Sequence, residues 1–262
     1  MTGLGGLRRS ALAWVLRHPR VLLLTALHVA FDCLLAGSVV ILFFFAPLVA
    51  VVLVLPFAYL GAFTAALTDA TLIVAVRDSI TEDSVSLSTA WAVAWKHRRP
   101  LAAWAFDLLT VGLAIRLVAA LFGRLGQLFG WAAEIAWVVI SLVVVPAIVI
   151  GEVPMPAAFD YSRGTLRETF GDRLRGVGGL SVVGLAITIP LVGLVIVALV
   201  ADSGLLFVVS WTALIIAILA YAFVLDAAMA VLGYAIYAYA TRGPLPPGFT
   251  DSTVQHALPV RT

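Results

Sequence analysis

Residues 21–76 read VLLLTALHVAFDCLLAGSVVILFFFAPLVAVVLVLPFAYLGAFTAALTDATLIVAV. Asp32 and Asp69 are the only acidic residues in this run, and it holds no lysine or arginine. A membrane-crossing helix needs about 20 consecutive apolar residues, so the run is long enough for two. Pro47 marks the break, because proline removes a helix donor and clashes with the preceding turn. One span is expected at 21–45 and a second at 48–76, the second tilted or bent at Pro56.

Outward from this run the pattern repeats. Apolar stretches at about 101–121, 131–150, 177–200 and 205–240 are each long enough to cross, with Pro190 as an expected kink in the fifth. Gly123-Arg-Leu-Gly-Gln127 and Asp202-Ser-Gly204 read as turns between them. Polar segments at 77–100 and 151–176 separate the hairpins. The tail from Arg242 carries three prolines and two glycines before Phe249, and it cannot continue a helix. The expected architecture is all-α: a polytopic membrane helix bundle of six spans in one domain (21–241), with an N-terminal segment (1–20) and a tail (242–262). Composition agrees. The 262-residue chain is 63% hydrophobic and 11% charged, with a mean hydropathy of +1.12. A soluble domain averages about 25% charged residues, so the surplus apolar surface must face lipid.

Lysine and arginine set the orientation. They cluster at Arg8, Arg9, Arg17 and Arg20, at Arg77, Lys96, Arg98 and Arg99, at Arg163, Arg167, Arg173 and Arg175, and at Arg242 and Arg261. Of the 16 basic residues, only Arg116 and Arg124 lie elsewhere. Six spans place all four clusters on one side, expected to be the cytoplasmic face of the cell membrane, with both termini there. The start of the chain does not read as a cleaved signal, because its apolar run is far longer than the ~7–15 residues of such a region.

Three segments precede the odd-numbered spans and share a pattern. Val85-Ser-Leu-Ser-Thr-Ala-Trp91 matches Val153-Pro-Met-Pro-Ala-Ala-Phe159, and Ser10-Ala-Leu-Ala-Trp14 before Arg17, His18 and Arg20 resembles both. Three units are expected, each a helix in the membrane interface followed by a hairpin. Leu87, Trp91, Ala94 and Trp95 fall near one helical face, as do Phe159, Leu166, Phe170 and Leu174, and Trp14 takes that part at the N-terminus. Lys96, Arg98, Arg99, Arg163, Arg167 and Arg173 are the candidate contacts to lipid headgroups.

Ionisable residues at membrane depth are costly and usually pair or line a path. They are Asp32, Asp69, Asp107, Arg116, Glu134 and Asp226, with His28 one turn from Asp32. At 1.5 Å per residue, Asp69 and Asp107 lie about 10 Å from the inner ends of their spans, and Arg116 about 24 Å along the third. Arg116 and Glu134 then share a depth and form an expected ion pair. Asp32, Asp69, Asp107, Asp226 and His28 form the candidate polar network, either a proton or cation path or a set of carboxyls neutral or hydrogen-bonded in helix contacts. Cys33 sits in the apolar run and is expected to be a small buried side chain.

No catalytic signature stands out. His18, His28, His97 and His256 are scattered, no Gly-x-Ser-x-Gly elbow occurs, and Gly176-Val-Gly-Gly lacks the Lys-Ser/Thr of a phosphate loop. No enzyme activity, cofactor, metal site or nucleic-acid partner is expected. The expected partners are membrane lipids, another copy of the chain or another membrane protein. The expected function is a membrane scaffold, assembly subunit or lipid- or partner-binding protein. The alternative is a small transporter or channel.

Phe63-Thr-Ala-Ala-Leu67, Val111-Gly-Leu-Ala-Ile-Arg-Leu117, Val144-Val-Pro-Ala-Ile-Val-Ile-Gly-Glu-Val153, Ala157-Ala-Phe-Asp-Tyr-Ser162 and Tyr237-Ala-Tyr-Ala-Thr-Arg-Gly-Pro-Leu-Pro-Pro-Gly-Phe249 occur in order over about 20–250. This set resembles a prokaryotic multi-pass membrane family known as a domain of unknown function (number six-one-five-nine). More loosely, it is similar to the membrane domain attached to some glycerophosphodiester phosphodiesterases. The resemblance implies an integral membrane protein and carries no catalytic residue. The family's asparagine beside Phe63 is Thr64 here, so no role of that amide carries over.

Overall fold

Runs of apolar residues with no water to bond their backbone must satisfy it internally, and helices do so along their own length. In the computed structural model the long apolar runs are helices accordingly. The structure describes residues 3–81, 86–122, 140–170 and 203–250, together with 126, 133, 137, 190, 192, 193, 196 and 197. These form α1 (Gly3–Arg17), α2 (Pro19–Phe45), α3 (Pro47–Thr81), α4 (Leu87–Lys96) and α5 (Arg98–Leu121). They continue with α6 (Ile140–Val149), α7 (Ala157–Phe170) and α8 (Gly204–Ala240). Among the described residues there is no strand.

Helices α2, α3, α5 and α8 are each long and apolar enough to cross a membrane. They coincide with the first, second, third and sixth expected spans. The fourth is described as α6 and the helical positions 133 and 137, and the fifth falls almost wholly outside the described residues. Helix α3 runs without interruption through Pro56 and past Arg77 to Thr81. Its end is therefore later than the expected 76. The first charges do not stop it, because Arg77 and Asp78 pair with each other at 2.8 Å.

Helix α3 is the central strut, packed against α2, α4, α5 and α8. The contacts are made through small residues. Ala66, Ala70 and Ala75 on α3 and Ala227, Ala230 and Ala235 on α8 are buried. Small side chains let helix backbones approach where lipid offers no hydrophobic drive to associate. The closest approach is at Gly233 of α8, where a Cβ would lie 2.6 Å from the Leu142 carbonyl oxygen of α6.

The core is gathered at one end of the bundle. Leu67, Leu72 and Val74 of α3, Trp104 of α5, Ile148 of α6 and Ile236 of α8 are fully buried there. At the opposite end Phe44, Leu121 and Leu205 are 79%, 82% and 79% exposed. Those tips are not packed within the described chain.

The short helices and the tail belong to the packed end. Ser10 Oγ of α1 donates to the Gly248 carbonyl at 2.7 Å, and Tyr234 Oη of α8 donates to the Pro244 carbonyl. Phe249 is buried among them. The junctions α1–α2 and α4–α5 are built alike. A histidine between the two helices bonds through Nδ1 to the carbonyl four residues back: His18 to Trp14 at 2.8 Å and His97 to Val93 at 3.1 Å. Two of the three units inferred from sequence thus share a hinge. In the third, α7 stands in the expected place and its following span lies outside the described residues.

Helix α8 ends in a turn in which Gly243 N–H reaches back to the Ala238 carbonyl at 2.7 Å. Arg242 is held there at φ 56°, a left-handed conformation that suits glycine. Arg242→Gly is expected to stabilise the protein by about 1 kcal/mol and to raise the thermal midpoint by about 3 °C in detergent. A lower midpoint would show that the arginine side chain contributes more than its backbone strain costs.

Candidate functional site, a carboxyl and tryptophan cleft

Helices α3, α5, α6 and α8 do not close completely on one another. A cleft of about 200 Å³ remains between them, with Asp69, Trp104, Trp137, Ser141 and Asp226 on its walls. The rest of the lining is apolar and includes Ile73, Leu108, Val145 and Met229. The aspartates come from α3 and α8, which face each other across the cleft. Trp104 is held by complete burial on α5. Trp137 stands between Trp104, at 5.5 Å between ring centroids, and Phe159 of α7, at 5.6 Å. Ser141 Oγ donates to the Trp137 carbonyl at 2.7 Å, which removes the hydroxyl hydrogen from the cleft.

The polar groups that remain are unpaired. Asp226 Oδ2 and Trp137 Nε1 are buried without a hydrogen-bond partner. Asp69 is half-buried, and its carboxyl interacts electrostatically with Asp226. On its other flank Asp226 interacts with His28 and Asp32 of α2. His28 Nε2 lies 3.4 Å from Asp32 Oδ2, while His28 Nδ1 and Asp32 Oδ1 are buried and unpartnered. Asp32 fits because Gly61 of α3 offers no side chain opposite it: a Cβ there would sit 3.2 Å from Asp32 Oδ1.

Measured along the helices, Asp69 is about 18 Å from the end of α3, Asp226 about 21 Å from the end of α8, and Asp32 about 20 Å from the start of α2. All three lie well inside helices that are long enough to cross a hydrocarbon core of about 30 Å.

Four of the five candidate network residues are therefore brought into one electrostatic group: Asp69, Asp226, His28 and Asp32. Asp107 is not. It lies on α5 between Trp104 and Leu108, partly buried, and does not line the cleft. Among the described residues no three His, Cys, Asp or Glu side chains are close enough to hold a metal ion together. Arg116 is exposed near the end of α5, and its expected partner Glu134 lies outside the described residues.

The candidate headgroup residues sit on the short helices. Helix α4 turns Ala90 and Ala94 inward and leaves Trp91 and Trp95 exposed. Ala94 thus parts from the tryptophans with which the sequence grouped it. Trp91 and Trp95 stack at 6.2 Å, and the Arg98 guanidinium lies 5.6 Å from the Trp95 ring centroid. Lys96 and Arg99 are exposed beside them, as are Arg163 and Arg167 on α7, while Arg173 and Leu174 lie outside the described residues. Helix α7 buries Ala158, Ser162 and Leu166, and Ser162 Oγ donates to the Ile140 carbonyl.

Two expectations from sequence do not hold. Trp14 is 2% exposed and stacks on His18 at 4.3 Å, so it packs inside the bundle instead of anchoring at its rim. Cys33 is exposed on α2 and is no buried core residue. The tryptophans of the cleft were missed altogether. Their signal was present in Trp104 and Leu108, one turn apart on α5, but nothing local tied Trp137 to them.

No family model, curated protein or solved structure matches this chain.

Proposed function

We propose that the chain is a non-catalytic integral membrane protein, a scaffold or assembly subunit that holds lipid or a partner at its packed end. Six spans arranged as three hairpins carry a collar formed by α1, α4 and α7, lying on the cytoplasmic face of the cell membrane with both termini. The resemblance to a multi-pass family of unknown function supports the same reading.

The observation that carries it is the outward face of α4. Exposed, stacked Trp91 and Trp95 beside Lys96, Arg98 and Arg99 combine apolar rings with cationic heads, the composition that suits a headgroup layer. Each basic residue near an anionic surface contributes about 1 kcal/mol. Lys96→Gln, Arg98→Gln and Arg99→Gln together are expected to cut the anionic phospholipid retained by the purified protein by half or more. Phosphate analysis after lipid exchange reads this directly. Unchanged retention would remove the collar from the account.

A second reading is favoured by one observation, the electrostatic continuity from Asp69 through Asp226 to the His28–Asp32 pair. Such a chain of titratable groups suits proton or cation movement. In proteoliposomes given a pH step, that reading expects a decay of the gradient faster than in protein-free vesicles, slowed in Asp226→Asn. A decay no faster than in empty vesicles would exclude it.

A further inference from the structure

Beside its two carboxyls the cleft has an aromatic and apolar lining that neither the collar nor a proton path needs. Two carboxyls from opposite helices converge on it, and no lysine or arginine lines it among the described residues. A charge at this depth costs at least about 2.5–3.5 kcal/mol unless it is paired. Asp226 Oδ2 and Trp137 Nε1 remain unbonded although buried, and the half-buried Asp69 carboxyl interacts with Asp226. Buried groups left unpaired in this way mark a place where something else supplies the partner.

The walls narrow the class of ligand. Calcium and magnesium take six or more oxygens and zinc three or four ligands including His or Cys, whereas the described lining offers two carboxyls and a serine hydroxyl already engaged with a backbone carbonyl. Trp104 and Trp137, packed on each other at 5.5 Å between ring centroids, give the cleft an aromatic wall, and aromatic rings attract cations. Ile73, Leu108, Val145 and Met229 complete the apolar lining of this open cleft of about 200 Å³, suited to a small organic body. The free indole N–H adds one donor for an oxygen on that body.

We propose that the cleft between α3, α5, α6 and α8 binds a monovalent organic cation, an amine or quaternary ammonium with an apolar body. The charge rests between Asp69 and Asp226, and the body lies against Trp104 and Trp137. Binding here is independent of lipid at the collar and does not require that the ligand cross the membrane.

The test is equilibrium dialysis of labelled benzyltrimethylammonium against the purified full-length protein in detergent micelles, with empty micelles subtracted. One saturable site per chain is expected. Asp69→Asn with Asp226→Asn weakens binding tenfold or more, and Trp104→Leu weakens it at least threefold. Asp107→Asn leaves it unchanged, because that carboxyl lies off the cleft. Neopentylbenzene, the neutral carbon isostere of the probe, competes at least tenfold less well. Each variant is first matched to the parent in elution volume and thermal midpoint, and the single Asp→Asn variants replace the double one if it does not fold. Uptake that only rises linearly with concentration would overturn the proposal. So would undiminished binding in the folded Asp→Asn variants, or equal competition by the neutral isostere. The collar and the flux readings are measured in other preparations, so either can fail without deciding this one.

Discussion

Gly233→Val is expected to lower the thermal midpoint of the detergent-purified protein by about 10 °C, and by more than any other single change on α8. The added side chain would begin 2.6 Å from the Leu142 carbonyl oxygen and 3.5 Å from its carbon. Those are backbone atoms of α6, which cannot swing aside as a side chain can. Overpacking in a close-packed interior costs about 1–3 kcal/mol, and the rigid partner puts this site at or beyond the upper limit. At about 2–4 °C per kcal/mol for a chain of this size, the shift follows. The better helix propensity of other residues over glycine, about 1 kcal/mol at most, is too small to reverse the sign. Thermal unfolding followed by intrinsic fluorescence reads the result. An unchanged midpoint would mean that α6 and α8 do not cross at Gly233, and the cleft would lose its floor.

Replacing Asp69 and Asp226 together by leucine is expected to stabilise the protein, by about 3 kcal/mol or more. Each carboxyl sits inside a helix long and apolar enough to cross a membrane, and a charged side chain at the centre of such a span costs at least about 2.5–3.5 kcal/mol on insertion scales. Asp226 Oδ2 gives up its hydration without gaining a hydrogen bond. Leucine is bulkier, but the adjoining 200 Å³ cleft takes the extra volume. Such a gain marks a site kept for a purpose other than stability. Thermal and urea unfolding in the same detergent measure it, and ligand binding in the cleft is lost in the same variant. A midpoint below that of the parent would show that the two carboxyls are structural.

How much was legible in sequence differs along the chain. The long helices were, because a run such as 21–76 must satisfy its backbone internally in lipid, and Pro47 does stand at the break, as the first residue of α3. The short helices α1, α4 and α7 were legible in position, since an aromatic residue followed by basic ones recurs ahead of the apolar runs. Their inward faces were not. Ala90 and Ala94 pack inward while Trp91 and Trp95 point out, because the small residues fit against α3 and the large ones do not. Trp14 went the other way and is buried against its own histidine.

Part of the cleft could be anticipated from charge at depth. Asp69, Asp226, His28 and Asp32 were candidates because few forces place such residues in an apolar run. Asp107 looked identical in sequence, yet it lies off the cleft, since a difference of one residue turns a helical side chain by about 100°. The tryptophan pair depends on how α5 and the residues before α6 lean together, and no local pattern records that.

The most direct measurement of the whole account is sidedness. In a Cys33→Ser background, single cysteines at Ser10, Ser88, Thr250 and Ser203 are labelled in intact cells with a membrane-impermeant maleimide. The account predicts that Ser10→Cys, Ser88→Cys and Thr250→Cys react only after the membrane is permeabilised, and that Ser203→Cys, at the start of α8, reacts without permeabilisation. Labelling of Ser10→Cys and Ser88→Cys from opposite sides of the membrane would contradict it, because the collar would then not lie on one face.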